Sequence, residues 1–450
     1  MSSDLGTAIS RSPMIRLFAV GFLALLLQIP VIMISVLISE RQQRRNEAVE
    51  EVSSKWGRAQ ALVGPALVVP YRRVWSEIGD DGKTVRRELS GSAVFLPEKL
   101  RISGKMTPEI RRRGIFSIPV YALALRFEGA FGEPNWAGLG LEAKDANWSE
   151  AYLALSVTDT RAIQEIGDLD WGGAKGSFLP GAVDFRAGNS GVHAAVTGPP
   201  ARGGAFSFTA RMNGTKGVSF APFGKQTDVR LESSWKNPSF QGNWLPARRD
   251  VGDRGFAAEW SIPYVGRDFP QDWRSPDAYA TQVDKSRFGL DLLQSVDSYR
   301  MADRSVKYAI LFLLLTLGSV WLAEMLARIL VHPIQYLLLG AALCLFYLLE
   351  LALSEHLGFA PAYLIATVAI VGMVGFYAVV VLGRPGRAAL LAGGVAALYG
   401  YLYVVLTNED YALLVGAIGL FVLLAAVMFV TRRVNWFRVA APPAEIKPAA

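Results

Sequence analysis

The sequence predicts a membrane protein of mixed α and β structure. It comprises an N-terminal transmembrane helix, a large antiparallel, sandwich-like β domain outside the cytoplasm, and a C-terminal bundle of five transmembrane helices. The mean hydropathy of +0.28 and the hydrophobic content of 52% are too high for a soluble chain of 450 residues. The apolar residues concentrate near the N-terminus and in nearly everything after Val306. Between these blocks the chain has a soluble composition and the two-residue periodicity of strands.

The first apolar stretch is long enough to cross a bilayer. A hydrocarbon core of about 30 Å needs about 20 helical residues, because every backbone polar group must be paired there. Residues 17–38 meet this length after a short tail, 1–16. The stretch is longer than the hydrophobic core of a signal peptide, and residues 35–45 show no convincing cleavage site. We therefore expect a retained transmembrane helix.

Five further spans are predicted within residues 308–430, before a C-terminal tail, 431–450. The connections between them alternate in charge: two carry no Lys or Arg, and the others are arginine-rich. By the positive-inside rule the arginine-rich side is cytoplasmic, and both termini lie there. Arginines 41, 44 and 45 oppose this orientation, but long domains are translocated largely regardless of charge. The predicted spans are 308–329, 334–353, 362–382, 388–406 and 412–430, and the arginines of the basic side are Arg328, Arg384, Arg387, Arg432, Arg433 and Arg438.

Residues 39–307 are predicted to form the β domain. Its strands are indicated by alternating apolar residues in three runs, and Asp81-Gly82 and Asn213-Gly214 are typical of two-residue hairpins. Residues 40–60 and 288–301 instead show helical spacing, so we expect helices there, either as stems next to the membrane or packed on the sandwich. The alternating runs are Tyr121, Leu123, Leu125 and Phe127; Leu153, Leu155 and Val157; and Phe256, Ala258, Trp260 and Ile262.

The net charge and the cysteine content argue against nucleic-acid binding and against an intramolecular disulfide. The net charge of +7 is typical of a membrane protein whose spans are flanked by basic residues, so we expect no nucleic-acid partner. The single cysteine, Cys344, lies in an apolar run and rules out an intramolecular disulfide.

Short motifs spread over nearly the whole chain point to a known family. They are Lys55-Trp56-Gly57 with Gly64-Pro65 and Val69-Pro70-Tyr71; Arg111-Arg112-Arg113-Gly114-Ile115-Phe116 with Pro119-Val120-Tyr121; Asp297 to Tyr299 with Lys307-Tyr308-Ala309-Ile310-Leu311-Phe312; His332-Pro333-Ile334-Gln335-Tyr336; Phe346-Tyr347-Leu348-Leu349 with Ser354-Glu355-His356; and Asn408-Glu409-Asp410-Tyr411. Together they resemble the CreD family of bacterial inner-membrane proteins.

The resemblance implies a multi-pass inner-membrane protein with a periplasmic domain. It also implies a connection to cell envelope integrity, to envelope stress and to a two-component system that controls expression. It implies no known reaction and no catalytic residues. One departure is Glu350, at a position where the family usually has an aliphatic residue.

Motifs of common catalytic and metal sites are missing from the sequence. It contains no His-Glu-x-x-His, Cys-x-x-Cys, Gly-x-Ser-x-Gly or Gly-x-x-x-x-Gly-Lys, and its histidines, His193, His332 and His356, lie far apart. We therefore expect no enzymatic activity, no metal and no cofactor. Carboxylates of the β domain that meet in a cleft would favour an enzyme instead.

Two acidic residues fall inside predicted spans, where a charged side chain such as Asp costs about 2.5 to 3.5 kcal/mol on insertion scales. Glu324 has Arg328 four residues later, so a structural ion pair is favoured over a functional role. Glu350 lies deeper and has no basic residue one turn away. It therefore pairs with another helix, holds a proton or lines a polar cavity.

Two further sets of residues are candidates for binding. The adjacent Arg111, Arg112 and Arg113 are a candidate contact for phosphate or carboxylate groups of lipids or wall polymer, with a solvated loop as the alternative. Tyrosines near the end of the fifth span are better explained as an interfacial aromatic belt than as a stacking platform for a ligand. These are Tyr399, Tyr401 and Tyr403.

The sequence thus leaves two functional hypotheses. In the first, the chain supports the envelope by contacting membrane lipids, wall polymer or envelope proteins through its outer domain. In the second, the helix bundle transports a lipid or a small molecule, with Glu350 and Glu324 as polar elements of the path.

Overall fold

The computed structural model describes residues 13–78, 84–181, 190–198, 204–275, 279–292, 298–327, 329–408 and 411–432. The chain forms two compact units. One, the β domain, comprises residues 46–295, and the other, the helical unit, comprises residues 1–45 and 296–450.

The strands of the β domain are β1 Gln60–Ile78, β2 Thr84–Phe95, β3 Lys99–Arg113, β4 Phe116–Phe131, β5 Tyr152–Val157, β6 Ile163–Ile166, β7 Leu169–Trp171, β8 Ala174–Gly176, β9 Phe178–Pro180, β10 Gly191–Ala195, β11 Gly204–Thr215, β12 Gly217–Phe220, β13 Gln226–Ser233, β14 Pro238–Gly242, β15 Arg248–Gly252, β16 Gly255–Pro263, β17 Asp272–Ser275 and β18 Phe288–Leu292. Five short 3-10 turns, at Ala137–Leu139, Ala143–Asp145, Trp148–Glu150, Thr160–Ala162 and Tyr264–Gly266, join some of them.

Within the described residues these strands form two sheets of nine strands each. The first has the order β14-β18-β12-β1-β5-β10-β9, with β2 on β1 and β17 on β2, and the second has the order β15-β16-β13-β3-β4-β11-β7-β8, with β6 on β11. Most neighbours are antiparallel, but β1 pairs with β12 and β3 pairs with β13 in parallel. Inward side chains of both sheets share one hydrophobic cluster, so the domain is a two-layer sandwich.

The alternating runs form strands as predicted. On β4, Tyr121, Leu123, Leu125 and Phe127 are buried while the residues between them are exposed. The same alternation buries one face of β16 around the fully enclosed Trp260. On β5, by contrast, nearly every residue is buried, so both faces of this strand are covered.

One predicted hairpin is wrong. Asn213 and Gly214 lie inside β11, opposite Ala122 and Tyr121 of β4. Gly214 is needed there because a Cβ atom would overlap the ring of Tyr121, whose hydroxyl donates to the Gly217 carbonyl at 2.6 Å. The glycine therefore permits a close approach rather than a turn. The other predicted turn, Asp81-Gly82, lies outside the described residues.

The helix predicted for 288–301 is also wrong in its first part. Phe288–Leu292 is strand β18, which pairs with β12 and β14. The apolar residues at 288, 290 and 292 satisfy a two-residue period, and pairing on both edges outweighs the helical spacing. Residues 293–297 lie outside the described residues, and a helix begins at Ser298.

The described helices are α1 Pro13–Leu26, α2 Gln28–Trp56, α3 Ala280–Lys285, α4 Ser298–Lys307, α5 Ala309–Ala327, α6 Pro333–Leu357, α7 Phe359–Leu382, α8 Pro385–Thr407 and α9 Ala412–Thr431. Among the described residues six segments are long and apolar enough to cross a membrane: Ile15–Trp56, Ala309–Ala327, Pro333–Leu357, Phe359–Leu382, Pro385–Thr407 and Ala412–Phe429. With the β-rich sandwich they confirm the predicted fold class.

Local sequence explains where these helices begin and end. The break at Leu27 between α1 and α2 precedes Pro30, whose ring excludes the regular helical position of the Leu26 carbonyl. The His332 side chain caps the start of α6, with Pro333 in the first turn. Gly383, at a φ of 65°, ends α7 in the left-handed conformation that glycine tolerates best.

Candidate functional site in the helix bundle

Glu350 belongs to the interior of the helical unit. Its side chain is fully buried on α6, on the face that also carries Tyr347. The Ser305 hydroxyl of α4 donates a hydrogen bond to Oε2 of Glu350 at 2.8 Å. Oε1 has no hydrogen-bond partner among the described residues, and no described Lys, Arg or His forms an ion pair with this carboxyl group. Glu350 is thus a buried acid with half of its bonding capacity unused.

Three tyrosines from three helices pack in the same part of the helical unit. They are Tyr347 of α6, one turn before Glu350, Tyr363 of α7 and Tyr399 of α8. Their rings pack around Phe346, with centroid distances of 5.1 Å to Tyr347, 5.2 Å to Tyr363 and 4.2 Å to Tyr399. We call Ser305, Tyr347, Glu350, Tyr363 and Tyr399 the Glu350 cluster.

Only some of the tyrosine hydroxyls in this cluster have a hydrogen-bond partner. Tyr363 donates to the Tyr399 carbonyl at 2.7 Å and so ties α7 to α8. The hydroxyls of Tyr347 and Tyr399 are buried and have no partner among the described residues. Native interiors rarely leave such groups unpaired, so a cluster of three unpaired atoms indicates a site for something small and polar.

The predicted aromatic belt is therefore wrong for Tyr399. Its side chain is fully buried and packs against Phe312 of α5 at 5.5 Å between ring centroids. Tyr401 and Tyr403 are partly exposed, and the Tyr401 hydroxyl donates to the Val415 carbonyl of α9. Helical periodicity turns Tyr399 towards the bundle, which closeness to the end of a span does not reveal.

Glu324, the second predicted intramembrane acid, has a complete set of partners. It lies buried on α5 and accepts a hydrogen bond from Arg16 of α1, with which it forms an ion pair. The Tyr336 hydroxyl of α6 donates to Oε2 at 2.6 Å, and the Val331 amide donates to Oε1 at 3.3 Å. The predicted partner, Arg328, lies outside the described residues. Glu324 thus joins three helices and retains no obvious capacity for a ligand.

The described residues contain no group of three or more His, Cys, Asp or Glu side chains that would hold a metal ion. The buried thiol of Cys344 lies near the carbonyl of Leu27, at 3.7 Å.

Comparison with known proteins identifies the family. A family model described as inner membrane protein CreD matches residues 12–437. Inner membrane protein CreD of Escherichia coli (strain K12) is 32% identical over 420 residues, which cover 93% of this chain and 92% of that protein. The chain belongs to the CreD family.

Membership confirms the resemblance carried by the motifs and establishes an inner-membrane protein. Among solved structures, the M1 zinc metallopeptidase from Deinococcus radiodurans aligns with 44% of this chain and 42% of its own, at 9% identity and a TM-score of 0.21. A similarity at this level supports no conclusion about the fold or function of this CreD-family protein.

The three adjacent arginines lie at the end of β3, where successive side chains point to opposite faces. Arg113 donates two hydrogen bonds to Glu51 of α2, at 3.0 and 3.1 Å. Arg111 stacks on Trp56, with its guanidinium carbon 3.6 Å from the ring centroid, and Arg112 is exposed. Two of the three arginines therefore hold the end of α2 against β3 within the β domain.

A second surface of the β domain is also unusual. Beyond the edge of the first sheet, β1 and β2 continue as a two-stranded ribbon of seven residue pairs, from Arg72 opposite Ser90 to Ile78 opposite Thr84. We call these segments, 72–78 and 84–90, the β1–β2 ribbon. Neither of its outer edges pairs with a further strand among the described residues, since β17 joins β2 only at 92–95 and β5 joins β1 only up to Val68.

Sequence patterns found the two acids but not most of their partners. Ser305, Tyr363 and Arg16 come from other helices, and no short-range pattern links them to Glu350 or Glu324. One signal was local: Tyr347 precedes Glu350 by three residues, a spacing that places both on one helical face.

Proposed function

We propose that this CreD-family protein supports cell envelope integrity and the response to envelope stress by binding a protein partner through the β1–β2 ribbon. In this proposal both termini are cytoplasmic and the β domain is periplasmic. The arginines at the starts and ends of alternate helices, Arg384 before α8 and Arg432 after α9, support that orientation. The ion pair of Arg41 with Glu355, at 3.8 Å, is consistent with it, because both residues then lie at the outer surface.

The ribbon carries the proposal because it is poorly supported by the rest of the domain. An isolated two-stranded ribbon is marginally stable in water, and its unpaired edges invite another strand. It also exposes apolar side chains, with Ile78 77% exposed and Val74, Trp75 and Val85 exposed as well. Apolar groups beside free backbone donors and acceptors suit an extended peptide segment that adds to an edge.

A protein strand fits this surface better than an anionic lipid or wall polymer does. The ribbon contains four arginines and two carboxylates. Arg72 pairs with Glu88 at 2.8 Å, Arg87 pairs with Glu77 at 3.5 Å, and Arg73 lies 3.9 Å from Glu142 outside the ribbon. Most of the ribbon's positive charge thus has a carboxylate nearby, which weakens its attraction for a polyanion. The backbone edges and apolar side chains remain available for a peptide.

Proline substitutions along β2 test this proposal. In an antiparallel pair, alternate N–H groups point into the ribbon and away from it, so successive prolines at Arg86 and Arg87 remove one inward and one outward donor. The proline that removes the outward-pointing N–H should preserve folding of the β domain. It should nevertheless abolish the variant's ability to rescue an envelope defect in cells that lack the wild-type protein. Normal rescue by both variants, and by Trp75→Ser/Ile78→Ser, would exclude the ribbon as the binding surface. Ser76→Ala is the matched control, because it changes an exposed ribbon residue without removing an edge donor or an apolar side chain.

Transport through the bundle is a second candidate function. It is favoured by the unpaired polar atoms around Glu350, because buried polar groups within a membrane bundle commonly line the path of a substrate. Glu350→Leu should then abolish rescue of the envelope defect at an unchanged protein level. Full rescue by that variant would remove the main residue on which this candidate depends.

A further inference from the structure

The Glu350 cluster holds more hydrogen-bonding capacity than its members satisfy. Oε1 of Glu350 and the hydroxyls of Tyr347 and Tyr399 are all buried without a partner among the described residues. A buried polar group left unpaired is destabilising, so three of them in one cluster need a common explanation. A small occupant that both donates and accepts hydrogen bonds suits such groups.

The charge of the surroundings identifies that occupant. The Ser305 hydroxyl of α4 donates to Glu350, and the other polar side chains of the cluster are the tyrosines Tyr347, Tyr363 and Tyr399, which pack on Phe346. The Cys344 thiol lies near the tyrosines, and α5 contributes the apolar ring of Phe312. No described basic side chain forms an ion pair with Glu350, in contrast to Glu324 and its arginine.

An ionised carboxylate would be an uncompensated charge in this apolar setting. A neutral carboxyl group removes that charge and converts one acceptor into an O–H donor. With one donor and one acceptor, it complements the tyrosine hydroxyls through a buried water molecule, since Oε1 bonds to neither hydroxyl directly. Tyrosine hydroxyls are weak ligands for a metal cation, so the arrangement favours a proton over a sodium ion.

We propose that Glu350 is a proton-binding site whose occupancy controls the contact between α4 and α6. The carboxylate takes a proton from a hydronium ion and releases water, so no redox partner is required. In the protonated state Oε2 accepts the Ser305 hydrogen bond and α4 packs closely. In the ionised state the carboxylate recruits water, and the buried face of α4, formed by Tyr299, Ala302, Ser305 and Val306, loosens from the bundle. The site stands whether or not the β1–β2 ribbon binds a partner.

Infrared spectroscopy of the full-length protein in lipid nanodiscs tests the protonation. At neutral pH the wild type should show a carboxylic acid C=O band that Glu350→Gln lacks and that fades as the pH rises. Tyr399→Phe, which keeps the acid but removes one neighbouring hydroxyl, should shift the frequency of that band. Coincident wild-type and Glu350→Gln spectra in this region at every pH would overturn the proposal. A band that changes when sodium replaces a bulky organic cation at fixed pH would also overturn it, by identifying a cation site.

Hydrogen exchange tests the coupling to α4. After correction for the intrinsic exchange rate, amides of Ser298–Lys307 should exchange several-fold faster at alkaline than at neutral pH in the wild type. They should show no such change in Glu350→Gln, which keeps an acceptor for Ser305 but cannot ionise. An equal pH response in both proteins would refute control by Glu350. If Glu350→Gln fails to fold, Ser305→Ala is used: it should raise exchange in α4 at neutral pH and reduce its pH response, and wild-type behaviour would refute the link.

Discussion

Replacing Arg16 with leucine should destabilise the helical unit by about 3 kcal/mol, because the buried carboxylate of Glu324 then has no cationic partner. Removing one partner of a buried ion pair costs about 3 to 5 kcal/mol. The lower end applies here, since the Arg16 side chain is 25% exposed whereas that of Glu324 is 5% exposed. The Tyr336 hydroxyl and the Val331 amide still donate hydrogen bonds to Glu324, which reduces the destabilisation.

The double variant Arg16→Leu/Glu324→Gln separates this charge effect from general damage to packing. Glutamine removes the charge but keeps an oxygen acceptor for Tyr336, so the double variant should lie within about 1 kcal/mol of the wild type. It should therefore be about 2 kcal/mol more stable than the single Arg16→Leu variant, and Glu324→Gln alone completes the double-mutant cycle that measures the coupling.

Thermal unfolding in detergent, followed by loss of the monodisperse chromatographic peak, provides the assay. Arg44→Leu is the matched control, because its ion pair with Glu40 is exposed on both sides and should contribute less than about 1 kcal/mol. If the double variant is no more stable than Arg16→Leu, charge pairing is not what makes Arg16 important, and the structural role given to Glu324 fails. If the double variant also rescues an envelope defect, Glu324 has no role as an ionised group in function.

Three predictions concern the β domain, and each is checked by chemical denaturation of the purified protein. Gly214→Ala should destabilise the domain by about 1 to 3 kcal/mol, because the added methyl group overlaps the Tyr121 ring; an unchanged midpoint would contradict that close approach. Arg267→Met should cost about 2 to 4 kcal/mol, since the buried guanidinium donates to the carbonyls of residues 222 and 223 at 2.9 and 3.0 Å and both hydrogen bonds are lost when it is removed. Hydrogen bonds from Arg161 hold the pKa of the Asp159 carboxyl below its usual value, so its contribution to stability is complete at neutral pH and is lost as the pH falls through the lowered folded-state pKa. Asp159→Asn should remove that part of the acid sensitivity, and an identical pH profile in the variant would argue against it.

Patterns that depend on a few neighbouring residues predicted much of the fold. Two-residue alternation on β4 and β16 follows from the burial of one face. Continuous apolar runs in the helical unit follow from the length that a helix needs to cross a bilayer, so the pattern along the chain reveals both. The parallel pairing of β1 with β12 brings together residues 60 and 218, and no local signal specifies it. Residues 288–292 show why spacing alone misleads, because pairing with two neighbouring strands decided their conformation.

The candidate site was predictable only in part, for the same reason. Glu350 and Glu324 are conspicuous because acids are rare in apolar spans. What distinguishes them is supplied by other helices: an arginine for Glu324, and only hydroxyls for Glu350. Tyr399 was misassigned because its position near the end of a span says nothing about which way its side chain faces.

The ion pair between Arg16 and Glu324 can form only late in the synthesis of the chain. The two residues are 308 positions apart, and the whole β domain is made between them. At a synthesis rate of about 5 to 20 residues per second, the first helix waits roughly 15 to 60 s in the membrane before its carboxylate partner emerges. During that interval Arg16 has to be solvated at the membrane surface or held by the insertion machinery. The helix that carries Arg16 is therefore made long before the helix that carries Glu324, and it completes its contacts only afterwards.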